Sequence, residues 1–106
     1  MRLLRHLLEK EGWHLAEAGL PVQVGVKFGA SPFGRKHLHQ TMAEYFLLLA
    51  GELLLQVNEK TLEMKKGDLI LVEPGEAHEV LHASPDALLL LLMPPPVPGD
   101  KVELEG

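Results

Sequence analysis

The chain has 106 residues, 46% of them hydrophobic, which is enough for one compact domain with a real core. It contains no cysteine. That excludes disulfides, thiolate ligands and iron–sulfur clusters, fits a reducing cytosol, and leaves His, Asp and Glu as the side chains for any metal site. The net charge is −5 and the ten basic residues form no dense cluster, which argues against nucleic acid as a partner.

At the N-terminus, Leu3, Leu4, Leu7 and Leu8 recur at helical spacing. They predict a short amphipathic helix over residues 2–10 that ends near Gly12, within an N-terminal extension of residues 1–20. Arg5 breaks the apolar stretch and Glu9 ends it, too early for the core of a signal peptide. The longest apolar run, Ala87 to Met93, is about a third of a membrane-spanning helix. The expectation is a soluble, cytoplasmic protein with no membrane partner. Asn58 is the only asparagine, which together with the missing cysteine is in keeping with a thermophilic source.

From residue 21 the apolar period changes from helical to alternating, and a single domain is expected over 21–106. Val22, Val24, Val26 and Phe28 alternate with Gln23, Gly25 and Lys27, the pattern of a half-buried strand. Gly29, Pro32 and Gly34 mark a loop. Glu44–Ala50 and Glu52–Val57 flank Gly51 and read as a hairpin. After a turn at Asn58, Glu59 and Lys60 come short strands at 61–64, 69–72 and 78–81, separated by Lys65-Lys66-Gly67-Asp68 and by Pro74-Gly75. Ser84-Pro85-Asp86 leads into a strand over 87–93, which Pro94, Pro95, Pro96 and Pro98 stop because proline cannot donate to a ladder. With a strand at His37–His39 the count is roughly eight, at the rhythm of an all-β sandwich or barrel.

Along a strand, residues i and i+2 share a face, so His37 and His39 can present two imidazoles to one point while Leu38 turns away. Residues 40–43 are long enough to bend the chain, and Glu44 opens the next strand. If Glu44 faces inward, so do Phe46, Leu48 and Ala50. A carboxylate on an apolar inward face is costly unless something satisfies its charge, and a divalent cation would. His78 begins a strand after the Pro-Gly corner. Three imidazoles and a carboxylate suit one divalent transition metal ion, Zn²⁺, Mn²⁺, Fe²⁺, Ni²⁺ or Co²⁺. The bland alternative is a pair of exposed loop histidines and an edge-strand charge that discourages aggregation. His6 and His14 read as surface residues. His82, about 13 Å beyond His78 on an extended strand, reads as a strand-end or surface residue, with orienting a metal ligand as the alternative. Pro98-Gly99-Asp100-Lys101 reads as a turn.

Residues 31–82 resemble the two signature motifs of the cupin superfamily. His37, His39, Glu44 and Gly51 match the first motif in full, and Gly67, Gly75 and His78 fall at the spacings of the second. The 15 residues between Gly51 and Gly67 match the short inter-motif segment of small microbial cupins. Three positions depart from the pattern: Ser31 for the opening glycine, Glu73 for a proline, and His82 for a closing asparagine. None of these is a family metal ligand. The resemblance implies a small double-stranded β-helix, a jelly-roll-like barrel of two antiparallel sheets, with the metal inside near one end at His37, His39, Glu44 and His78. It implies a metal-dependent enzyme of dioxygenase or isomerase type acting on a small molecule, or alternatively a non-enzymatic small-molecule binding or sensing module. Phe46, Leu48 and Val80, with Phe28, Phe33 and Met42 as further candidates, are expected around the site as a mostly apolar pocket. Tyr45, Leu47 and Leu49 should then face outward, and the apolar residues on both faces of the leucine-rich strands predict a homodimer.

Overall fold

The computed structural model describes residues 1–105. They form one short 3-10 turn, Leu7–Glu9, and ten strands: β1 (Gly12–His14), β2 (Gln23–Phe28), β3 (His37–His39), β4 (Glu44–Ala50), β5 (Glu52–Val57), β6 (Lys60–Lys65), β7 (Leu69–Val72), β8 (His78–Ala83), β9 (Leu88–Met93) and β10 (Lys101–Glu103). Two five-stranded antiparallel sheets result, the first in the order β1-β2-β9-β4-β7 and the second in the order β10-β3-β8-β5-β6. From β2 onward the chain changes sheet at every connection except β5 to β6. This winding is the expected double-stranded β-helix barrel.

Period-two patterning drives each sheet to bury one face. In β4, Glu44, Phe46 and Leu48 are buried while Tyr45 is exposed. Leu53 and Leu55 of β5 and Met64 of β6 close on them from the second sheet, with Leu48 and Leu55 both at 0% exposure. Each such leucine contributes about 1.5–3 kcal/mol of transfer free energy.

Three expectations about the elements change. The leucines near the N-terminus do not make a helix over 2–10; only Leu7–Glu9 coil, His6 enters at φ 57 without a side-chain cap, and Lys10 is already extended. The chain is drawn instead into β1, which pairs with β2 in the register Gly12↔Val26 to His14↔Val24. Likewise β4 and β5 are not a hairpin, because they lie in different sheets. Gly51, at φ 75, is the corner between them, and a Cβ there would sit 2.6 Å from the Ala87 backbone, just before β9. The strand count also rises, because β1 and β10 carry no alternating apolar signal.

This corner gives a testable contrast. Gly67 has φ 91 but nothing within 4 Å of its Cβ direction. Gly67→Ala should therefore cost only the left-handed backbone term, about 1–2 kcal/mol. Gly51→Ala adds overpacking and should cost about 2–5 kcal/mol in all. Denaturant melts of the two variants check the order. No described helix is long and apolar enough to cross a membrane.

Candidate metal centre

The second sheet supplies three imidazoles and the first supplies one carboxylate. His37 of β3 is the direct register partner of His78 of β8. His39 lies two residues along β3, on the same face. Glu44 opens β4 in the opposing sheet and is 4% exposed. One ligand atom from each of His37, His39, Glu44 and His78 lies within 4.8 Å of the others, so the four form a group that could hold a metal ion. His39 Nε2 is 3.6 Å and His78 Nε2 3.5 Å from Glu44 Oε1.

The hydrogen bonds around the rings fix which nitrogen is free. His37 Nδ1 is 2.8 Å from the Arg35 carbonyl and His78 Nδ1 is 3.1 Å from the Glu76 carbonyl. Carbonyls only accept, so each Nδ1 carries the proton and each neutral ring keeps its lone pair on Nε2. His39 Nδ1 donates to the Asp100 carboxylate at 2.9 Å. Among the described residues, His78 Nε2 is the one buried side-chain nitrogen or oxygen without a hydrogen-bond partner. A buried, unpaired lone pair costs free energy that a cation would remove. The donor set therefore fits a divalent transition metal on geometry, tautomer and the orphaned nitrogen.

The same contacts shift the titrations. The Glu44 carboxylate, helped by Asp100, raises His39 above 6.5 despite burial, whereas burial lowers His37. Burial would raise Glu44, but His39 and His78 outweigh it and hold it below 4.5. In chelated protein the signs follow by linkage. Stability from His39 is full below pH 6.5 and is lost as pH rises through its raised value. His37 opposes it, penalising folding as pH falls below 6.5. Stability from Glu44 is present above pH 4.5 and is lost as pH falls through its lowered value. Proton NMR of the chelated protein should find His39 titrating above His37, and Glu44→Gln should bring His39 down toward 6.5.

A cavity of about 420 Å³ opens over the four donors. Phe33, Met42, Phe46 and Val80 line it as expected. Leu48 does not, being sunk in the core, and Phe28 lies on the opposite face of β2 from the cavity-lining Gln23 and Lys27. Sequence reading missed Trp13, whose strand is too short for a pattern, and the cations Lys27, Arg35 and Lys101, which come from a non-ligand strand, a loop and β10. It also missed Asp100, 4% exposed, because nothing local marks a turn aspartate as buried. His82 is exposed and outside the cluster, His6 is exposed, and half-buried His14 bonds the Lys10 carbonyl at 2.7 Å.

A family model described as a cupin domain matches residues 24–94. Among solved structures, a protein from Planctomyces limnophilus is similar at TM-score 0.71 and 18% identity, covering 95% of this chain and 96% of that one. KdgF from Halomonas sp. gives TM-score 0.67 and 17% identity over 90% and 93%. Streptomyces Pac13 with uridine gives 0.72 and 13% over 99% and 93%, and Pac13 is a nucleoside dehydratase. At these identities the likeness is one of fold. A search of curated protein sequences finds no match.

Proposed function

The chain belongs to the cupin family, and from that premise we propose a metal-dependent enzyme, of dioxygenase or isomerase type, acting on a small organic acid. The observation that carries the reading is the orphaned Nε2 of His78, aimed into a four-donor cluster that shares its walls with a ligand-sized cavity. When bound, a divalent ion supplies Lewis acidity or redox capacity at positions the four side chains leave free. Similar folds include a nucleoside dehydratase, which is in keeping with chemistry on a small molecule.

The roles of the chain's own residues follow from their placement. His37, His39, Glu44 and His78 would hold the ion. Phe33, Phe46 and Val80 keep water off the reacting region and seat an apolar body. Among the described residues, Lys27, Arg35 and Lys101 have no carboxylate within ion-pair distance, although Lys27 Nζ bonds the Pro32 carbonyl at 2.6 Å. Of the three acids lining the cavity, Glu44 faces the histidines and Asp100 is bonded by Thr41 and His39, which leaves Glu79 against three cations. Unpaired cations beside a cationic metal favour a ligand that brings a negative charge. A substrate acid group would lie toward Arg35 and Lys101. All four donors come from one chain, so each subunit of the proposed homodimer has its own centre.

Calorimetry with iron- or manganese-loaded protein, paired with product analysis and oxygen uptake over a panel of small carboxylic acids, tests this. Turnover is expected that chelation abolishes and that Glu44→Gln alters more than it alters folding. An acid that binds and is recovered unchanged would establish the binding-module alternative. Turnover persisting after all metal is removed would contradict a metal-dependent enzyme.

A further inference from the structure

We propose that Asp100 is a positioning residue of the centre, locking His39 in the tautomer that leaves Nε2 free to bind the cation. The proposal rests on the reading of the four donors as a metal site. Asp100 sits just before β10, outside the matched stretch 24–94, and reaches His39 because β10 pairs with β3 in the register Lys101↔His39. Its two oxygens do different work. Oδ1 accepts from the Thr41 backbone N–H and from the Thr41 hydroxyl, both at 2.7 Å. Oδ2 faces His39 Nδ1 at 2.9 Å. A backbone N–H can only donate, so the Oδ1 place must be an acceptor, and this pins the carboxylate. The remaining oxygen is also acceptor-only when ionised, so His39 Nδ1 must carry a proton. His37 and His78 are oriented by backbone carbonyls, which no substitution removes. His39 alone of the three is oriented by a side chain, and that side chain adds a negative charge behind the ring, which makes Nε2 a stronger donor.

The isosteric variant makes this testable. In Asp100→Asn, Thr41 N–H still requires the amide oxygen at the Oδ1 place, so the amide nitrogen must face His39. It donates to Nδ1, moves the ring proton to Nε2 and turns a metal donor into an N–H aimed at Glu44. Asp100→Ala instead frees His39 to take either tautomer but strips Thr41 of both acceptor contacts. The two variants should therefore cross. Zinc affinity by chelator competition should fall about 10–100-fold in Asp100→Asn and less in Asp100→Ala. Melting of chelated protein should fall little in Asp100→Asn and more in Asp100→Ala. Nitrogen NMR of chelated protein, above the His39 titration, should show Nδ1–H in the wild type and Nε2–H in Asp100→Asn. Wild-type zinc affinity in Asp100→Asn, or affinity losses in both variants that track stability, would overturn the proposal. If the wild type binds no zinc, the metal reading fails, and the NMR still decides the role of Asp100: an Nε2–H tautomer in the wild type removes it.

Discussion

Adding chelator to metal-loaded protein is expected to lower the melting temperature by roughly 10–20 °C, and His78→Ala to abolish that difference. A ligand that binds only the folded state stabilises it by about 2.7 kcal/mol at a hundredfold excess over Kd and about 4.1 kcal/mol at a thousandfold. In a domain of this size each kcal/mol moves the midpoint by about 4 °C. The placement of the donors adds a reason to expect the upper part of that range. Three come from β3 and β8 of the second sheet and one from β4 of the first, so the ion would join the sheets at one end of the barrel. Without it, the buried Glu44 carboxylate has only imidazole contacts at 3.5 and 3.6 Å, longer than good charge-assisted bonds. His78→Ala removes the orphaned nitrogen and one donor, so calorimetric scans with and without chelator should then superimpose. Elemental analysis of the loaded wild type should return one ion per chain. A wild-type melting curve indifferent to chelator would sink the metal centre.

The four-donor cluster was legible in part from strand geometry and in part, for His78 above all, from the likeness to the cupin motifs. His37 and His39 share a face by period two, and Glu44 leads an inward face whose next members, Phe46 and Leu48, are buried in the structure as the pattern requires. The turns were legible where glycine, proline or asparagine forces one. What stayed hidden depends on where distant chain arrives. Asp100 acquires its role only when β10 returns to β3, 61 residues from His39, and no local composition announces that pairing. Lys101 reaches the cavity by the same return. Trp13 lines it because β1 pairs with β2, a three-residue contact too short to show a period. The hairpin over Gly51 failed for a related reason: two apolar strands around a glycine look alike whether they pair or part, and here β4 pairs with β7 and β9 while β5 pairs with β6 and β8.

In solution at micromolar concentration the protein is expected to have twice its single-chain mass of 11.7 kDa. The reason lies on the outer face of the first sheet. Tyr45 of β4 stands between Leu71 of β7 and Leu92 of β9, and Leu47 stands between Leu69 and Leu90. At one end of this face Val26 of β2 is only 2% exposed, so the chain covers that end itself. At the other end Tyr45, Leu71 and Leu69 are 42%, 44% and 58% exposed, and β7 is the sheet's edge. Contiguous apolar surface on an unpaired edge strand is a liability that proteins blunt with charge or cover. Here β7 is Leu-Ile-Leu-Val, with no charged residue in it. The commonest cover is a second copy related by a two-fold axis, sheet against sheet or edge against edge. Leu69→Lys with Leu71→Lys should place charges on that surface and halve the mass in light scattering, while leaving one ion per chain because the four donors lie elsewhere. A wild-type mass of 11.7 kDa would mean that these leucines remain in water and that the face needs no partner.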